Sequence, residues 1–302
     1  MGNFDYQAND DFFRALKKAK LQTFLSRMQM ERTELLSFYD VKELVKPKKQ
    51  TYRGLKAIRV DRIIGSEGRY RDFNKAFFPK KSMLKGRWES ISRAHMQMID
   101  LPAISVYKIG NAYFVRDGNH RVSVAKTIGV EFIDADIVEL DAEINLEPGM
   151  TDKQLREKVI AYERKRVLKT TGIESMIDMS SILFTAPGRY TEMLHHINVH
   201  KYYLNMGKAK EISFEEAAKS WYLNVYYPIA EAVRDQKLLS KFPGRTSGDL
   251  YMWIVKHWNR LKGKTGNDVH PADASKDFAE KYKLPPLKRF FDRVKNIFNK
   301  TV

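Results

Sequence analysis

Apolar positions along the chain recur with three different periods. In residues 9–45 they fall at helical spacing: Phe12, Phe13, Leu16, Ala19, Leu21, Phe24, Leu25 and Met28 mark a first helix, capped by Asn9 or Asp10. Glu34 to Val45 marks a second, shorter one. KPKKQTYRG (46–54) has no period, is basic and holds a proline and a glycine, which predicts a linker. Ala57 to Ile64 then alternates and is rich in β-formers, and Leu84 to Met98 is helical in pattern. Ile104–Lys108 and Ala112–Val115 flank Ile109-Gly110-Asn111, a hairpin signature. Val122–Ile128 predicts a helix closed by Gly129, and Phe132–Leu140 another strand.

Beyond Thr151 the pattern is helical almost throughout. Thr151 with Gln154 forms a capping-box sequence. Periodic segments cover 152–169, 213–238, 247–262, 272–282 and 286–299. The expected class is α+β: a helical N-terminal segment (1–50), a small α/β domain (51–145) and a mostly α-helical C-terminal domain (146–302).

Charge adds a functional direction. The 302 residues carry a formal +17, with 43% hydrophobic and 12% aromatic residues. Such an excess favours polyanionic partners: a nucleotide, DNA or RNA, or an anionic surface. With no cysteine, disulfides, zinc–thiolate sites and thiol catalysis are excluded. The opening MGNFDYQANDDFF is acidic and does not read as a secretory signal, and Tyr6 breaks the myristoylation pattern. No apolar run approaches a transmembrane length, so a cytoplasmic location is expected.

The densest chemistry is YFVRDGNHRVSVAKTIG (113–129), where a strand ends and a helix begins. Gly118 permits close backbone approach. Free amides at the helix N-terminus favour an anion. Arg116 and Arg121 offer forked donors to phosphate, and His120 donates or shuttles a proton. Asn119 caps the helix and reads a polar edge. Asp117 accepts a ribose hydroxyl, holds a metal-bound water or acts as base. Plain capping by Asp117 or Asn119 accounts for the acid, glycine and amide, but leaves His120 and Arg121 without a role.

The order VDRI, helix, then ISVYKIGNAYFVRDGNHRVSVAKTIGVEFIDADIVEL resembles the ParB/sulfiredoxin superfamily over roughly residues 55–140. Gly118 and Arg121 stand on the glycine and last arginine of the Gly-Glu-Arg-Arg box of ParB-type domains. Gly118, His120 and Arg121 match the Gly-Cys-His-Arg box of sulfiredoxins. The resemblance implies a nucleotide, ATP, ADP or CTP, with or without Mg²⁺. It also implies polar residues near that nucleotide from GSEGRYRDF (65–73), where Glu67, Arg69 and Arg71 stand. Asn119 in place of cysteine removes sulfiredoxin chemistry, and the missing glutamate speaks against CTP hydrolysis of the ParB kind. Segments 180–194 and 220–234 resemble a bacterial family that carries a ParB-like domain in front of them.

Three functions follow as expectations. The first is a nucleotide-binding regulatory protein, with phosphate at Gly118, Asn119, His120, Arg121, Arg116, Arg69 and Arg71 and a helical C-terminal domain that meets a protein partner or nucleic acid. The second is a phosphotransferase for a small hydroxylated metabolite, with Asp117, His120 and Glu67 as catalytic groups. The third is a DNA-binding regulator with a vestigial nucleotide site. Elsewhere, Arg245 stands at a Pro-Gly turn before a helix whose first turn holds Asp249. Glu192, His196 and His200 share one helical face, more simply an exposed or interfacial one than a set of metal ligands, and no metal is expected. KGKTG (262–266) lacks the first glycine and the strand of a P-loop. The stripe Leu287, Phe290, Phe291, Val294, Ile297 and Phe298 predicts an amphipathic tail.

Overall fold

The computed structural model describes residues 3–28 and 34–265. The segments 272–282 and 286–299, with their amphipathic stripe, lie outside the described residues. Two compact units divide the chain, Met1–Val159 and Ile160–Val302. The fold is α+β. Among the described residues, all six strands lie in the first unit and the elements of the second are helical.

In the first unit, α1 (Asn3–Met28) and α2 (Phe38–Val45) precede the sheet. The strands are β1 (Leu36–Ser37), β2 (Lys49–Arg59), β3 (Ile63–Ser66), β4 (Ile104–Ile109), β5 (Ala112–Asp117) and β6 (Phe132–Asp141). Their order across the sheet is β1-β3-β5-β4-β6-β2. β1–β3, β3–β5 and β4–β6 pair parallel, whereas β4–β5 and β6–β2 pair antiparallel. Helix α3 (Lys85–Met96) precedes the β4–β5 hairpin, and α4 (Asn119–Ile128) follows it.

Alternation along the strands assigns the two faces. Ile104, Val106, Tyr113 and Val115 share a core with Phe12 and Leu16 of α1, Trp88 and Ile91 of α3, and Val122 of α4. Phe114 and Tyr107 point the other way. There the Phe38 ring of α2 stacks on Tyr107, centroids 4.1 Å apart, and leans on Phe114 at 5.9 Å.

Several sequence expectations change here. Residues 49–54 are not a linker but the first half of β2, an 11-residue edge strand. Its pattern is illegible because only Ile58 is buried. A register shift between Tyr52 and Gly54, with Gly54 at φ +73°, interrupts it further. The expected strand over 57–64 breaks at Val60–Arg62 into a 3-10 turn. The second helix starts at Phe38 rather than Glu34, because Ser37 caps it through Asp40 N after a two-residue strand. The first helix already includes Asn3, so neither Asn9 nor Asp10 caps it. The β4–β5 hairpin, the C-terminal Gly129 of α4 at φ +81° and β6 lie where the pattern places them, while α4 starts at Asn119 rather than Val122.

Helix α5 (Asp152–Thr171) opens with the expected box: Gln154 N donates to Thr151 Oγ1 at 3.3 Å and Thr151 N to Gln154 Oε1 at 2.9 Å. The second unit continues with α6 (Arg189–Asn205), α7 (Phe214–Trp221), α8 (Tyr227–Asp235) and α9 (Ser247–Thr265). The segment expected as one helix over 213–238 carries a π turn at Tyr222–Tyr226, where Tyr227 N donates to Tyr222 O. The turn accompanies the packing of Trp221, Tyr226 and Tyr251 within one core. Helix α6 is unbroken at Asn198. Lys262–Thr265 of KGKTG belong to α9, and Gly266 lies outside the described residues.

Candidate functional site

Parallel pairing decides where the site forms. Ser66 of β3 sits opposite Val115 of β5, so both strands end on the same side of the sheet. The chain leaves β3 into Glu67–Asp72 and leaves β5 into Gly118–Arg121. Ile104 starts the antiparallel β4 at that same end, with Ser105 opposite Asp117. Carboxyl ends of parallel strands are where open α/β sheets collect ligands.

The turn is built for close approach. Gly118 precedes α4 at φ +99°, and its position leaves no room for a side chain: an added Cβ would lie 2.4 Å from Ile104 Cγ2. No side chain caps the helix, so its first amides remain for another acceptor. Around this N-terminus lies a cavity of about 450 Å³. Its lining joins Asp117, Gly118, Asn119, His120 and Arg121 to Arg69 from the β3 exit and to Arg87 from α3, with Met83, Leu84 and Ile91 as an apolar side.

His120 is enclosed. Its ring meets the Phe73 edge at 5.5 Å, and Nε2 stands 3.5 Å from Arg69 Nη1. With Nε2 facing a donor, the ring proton sits on Nδ1, which is shut from solvent and has no partner. Burial, then the positive charges of Arg69 and Arg87, push the imidazole down to about 4, so it is neutral at pH 7. Asn119 is only 7% exposed, and its Oδ1 also lacks a partner. Buried Asn119 and half-buried His120, each with one hydrogen-bonding atom left without a partner, thus line one cavity.

Arg121 serves the protein itself. Nη1 donates to the carbonyls of Pro102 and, at 2.9 Å, Ala103, and Nη2 donates to Asp117 Oδ2 at 2.6 Å. The side chain is 14% exposed, against 77% for Asp117. Nε and one Nη2 hydrogen remain for a ligand.

The residues singled out in the sequence therefore separate. Asp117, Gly118, Asn119, His120, Arg121 and Arg69 meet in the cavity. Glu67 accepts from the Tyr39 hydroxyl at 2.8 Å, and Arg116 lies 5.9 Å from the Tyr107 ring centre, both outside the lining. Arg71 packs over Tyr70 at 5.4 Å, likewise outside it. Arg87 was missed: inside a helix-pattern segment it is one of several basic residues, and only the packing of α3 on α4 distinguishes it. That packing is fixed by Trp88 Nε1, which donates to Ser123 Oγ at 2.9 Å in the core.

No family model and no curated protein sequence matches the chain. A structural comparison pairs it with the N-domain of a pNOB8-like ParB in two structures. One is 16% identical, covering 82% of this chain and 98% of that one at a TM-score of 0.22. The other is 15% identical, covering 74% and 82%, also at 0.22.

The remaining candidates are occupied by their own neighbours. Glu192 pairs with Arg189, His196 Nδ1 is 3.0 Å from the Tyr251 hydroxyl, and His200 Nε2 is 3.0 Å from Ser220 Oγ. Among the described residues no cluster of three or more His, Asp or Glu is arranged to hold a metal. Arg245 Nη1 donates to Thr185 Oγ1 at 2.8 Å and packs over Trp253. At the start of α6, Gly188 N donates to both Glu163 carboxylate oxygens, at 2.9 and 2.7 Å. A second cavity of about 510 Å³, lined by Asp40, Asp61, Lys126 and Asp152, lies away from the α4 turn. No described helix is long and apolar enough to cross a membrane.

Proposed function

We propose that the chain binds a nucleoside phosphate, ATP, ADP or CTP, with its phosphates at the N-terminus of α4. One observation carries this reading. An uncapped helix start, buried Asn119 and half-buried His120 with one unpartnered atom each, and three guanidinium groups share one cavity. Exposed Met83 and buried Leu84 and Ile91 offer a sugar or base an apolar wall. Asp117 is the single carboxylate in the lining and is already matched to Arg121, so these residues do not form a metal cage. Mg²⁺ would arrive with the nucleotide.

Binding is favoured over phosphoryl transfer because a transferase needs a base beside the acceptor hydroxyl. Glu67 is held by Tyr39 outside the cavity, which leaves Asp117 alone for that task. The formal charge of +17 supports a regulatory protein that also meets DNA or RNA.

Titration of the full chain with ATP, ADP, CTP and GTP, with and without Mg²⁺, tests the reading. Saturable binding with NMR shifts centred on Gly118–Arg121 is expected. Absence of binding by all four nucleotides rejects it. Salt-dependent duplex binding that responds to the bound nucleotide would support the regulatory role.

A further inference from the structure

We propose that Arg87, in the first turn of α3, is the guanidinium that grips the phosphoryl group, while Arg121 is a positioning residue that holds the turn in shape. This deepens the nucleotide reading above and rests on it.

The argument begins with how the three arginines of the cavity are employed. Arg69 faces His120 and lies 3.7 Å from the Asp72 carboxylate. Arg121 is neutralised by Asp117 and spends Nη1 on two backbone carbonyls. Arg87 makes no hydrogen bond or ion pair among the described residues, although it lines the cavity and its charge reaches His120. It is the lining cation with no carboxylate of its own. An anion entering the cavity gains most from the guanidinium that does not have to release another partner.

Two further atoms bear on that phosphoryl group. His120 Nδ1–H and Asn119 Oδ1 are shut from solvent without partners, so they meet a ligand only when these side chains turn toward the cavity they line. A phosphate oxygen would then give Nδ1–H its acceptor, and a hydroxyl or amino group would give Oδ1 its donor. A phosphate ester carrying a hydroxyl close to its phosphorus satisfies both, and a nucleoside phosphate is such a molecule. Dianionic inorganic phosphate, with oxygen acceptors and one hydroxyl, meets the same two needs, so these atoms specify a phosphoryl group and the nucleoside comes from the reading above.

The geometry behind Arg87 is rigid. Trp88, its neighbour, is fully buried and tied to Ser123 of α4, so the start of α3 keeps its distance from the start of α4. Arg87 itself is exposed, so its replacement leaves the core untouched.

The experiment compares Arg87→Ala, Arg87→Lys and Arg121→Lys in the full chain, titrated with ATP, ADP, CTP, adenosine and inorganic phosphate, with thermal unfolding of each variant. Arg87→Ala should weaken every nucleotide that the wild type binds by at least tenfold, with an unchanged Tm and unchanged adenosine affinity. Arg87→Lys should recover part of the loss. Arg121→Lys should lower the Tm. If the wild type binds a nucleotide and Arg87→Ala binds it equally well, the role of Arg87 is rejected and the nucleotide reading stands. The role is likewise rejected if adenosine affinity falls as far as nucleotide affinity. If the wild type binds none of the nucleotides, both readings fall together.

Discussion

Arg121 Nη2 lies 2.6 Å from Asp117 Oδ2, joining the last residue of β5 to the first turn of α4 across Gly118. The same guanidinium holds the Pro102 and Ala103 carbonyls ahead of β4, so one side chain fastens three chain segments. Removing it leaves the carbonyls of exposed Pro102 and half-buried Ala103 to water and takes away their charge-assisted bonds. Arg121→Ala should therefore cost about 1–2 kcal/mol of stability. Arg121→Lys should restore less than half, because one ammonium cannot span three acceptors. Asp117→Asn, at an exposed carboxylate, should cost under about 1 kcal/mol. Urea unfolding measures all three, and an Arg121→Ala midpoint equal to the wild type would show that the bracket does not hold the fold.

His120 should make stability depend on pH over a defined window. Its folded value of about 4 lies below the ordinary 6.5, chiefly through burial and then through Arg69 and Arg87. Between these values the unfolded chain binds the proton and the folded chain does not, so stability falls as pH drops. The contribution is complete above 6.5 and lost once pH passes below about 4. His120→Asn should flatten the stability curve across that window. A bound phosphate would favour the charged imidazole, so saturating ADP should move its NMR titration upward. An imidazole titrating near 6.5 without ligand would contradict the enclosed site.

The sequence exposed those parts of the site whose chemistry is local. Alternating Ile104, Val106, Tyr113 and Val115 around Gly110 announce the hairpin, and Gly118 with Gly129 brackets α4, because turns and caps are decided by neighbours in the chain. The edge strand β2 was hidden because nearly all of it is exposed, which erases the period of two. Arg87 was hidden because its place in the cavity lining depends on Trp88 meeting Ser123, 35 residues apart. The partners of Arg121 were hidden for the same reason: the Pro102 and Ala103 carbonyls come beside it only in the fold. Arg116 is near in sequence to the turn, but the pleat of β5 carries it away from the cavity. Glu67, at the exit of β3, is instead held by the Tyr39 hydroxyl.

Lys126 gives a second pH signature, on the far part of α4. Its ammonium donates to Ile63 O at 2.8 Å and lies 4.9 Å from the centre of the Phe77 ring. Burial pushes it down from 10.5 to about 8, with Asp61 opposing the shift. Between 8 and 10.5 the unfolded chain holds the proton and the folded chain releases it, so this group makes stability rise with pH there. In Lys126→Met that rise disappears. The stability of the wild type relative to the variant should grow from pH 8 to pH 10.5, read by denaturant unfolding at several pH values. A constant difference would show that Lys126 keeps its ordinary proton affinity.

Asp249 anchors the second unit from a position 3% exposed. Its carboxylate accepts from Thr185 N at 3.0 Å, Thr185 Oγ1 at 2.7 Å and Thr246 N at 3.0 Å, while its own N–H donates to Thr246 Oγ1 at 3.2 Å. It therefore closes the start of α9 and pins the loop before α6 to it. Arg245 and the Thr246 hydroxyl extend the same contact, to Thr185 Oγ1 and the Leu183 carbonyl. Asp249→Ala leaves several part-buried donors unpaired and removes a cap, at a cost of about 2–3 kcal/mol. Asp249→Asn keeps the shape and one oxygen, so its cost should be smaller. Thermal unfolding should rank wild type above Asp249→Asn above Asp249→Ala. Hydrogen exchange should locate the added opening in 183–189 and the first turn of α9. Equal exchange in Asp249→Ala and wild type would mean that the two segments are held together by the apolar core around Phe184 and Leu250 alone.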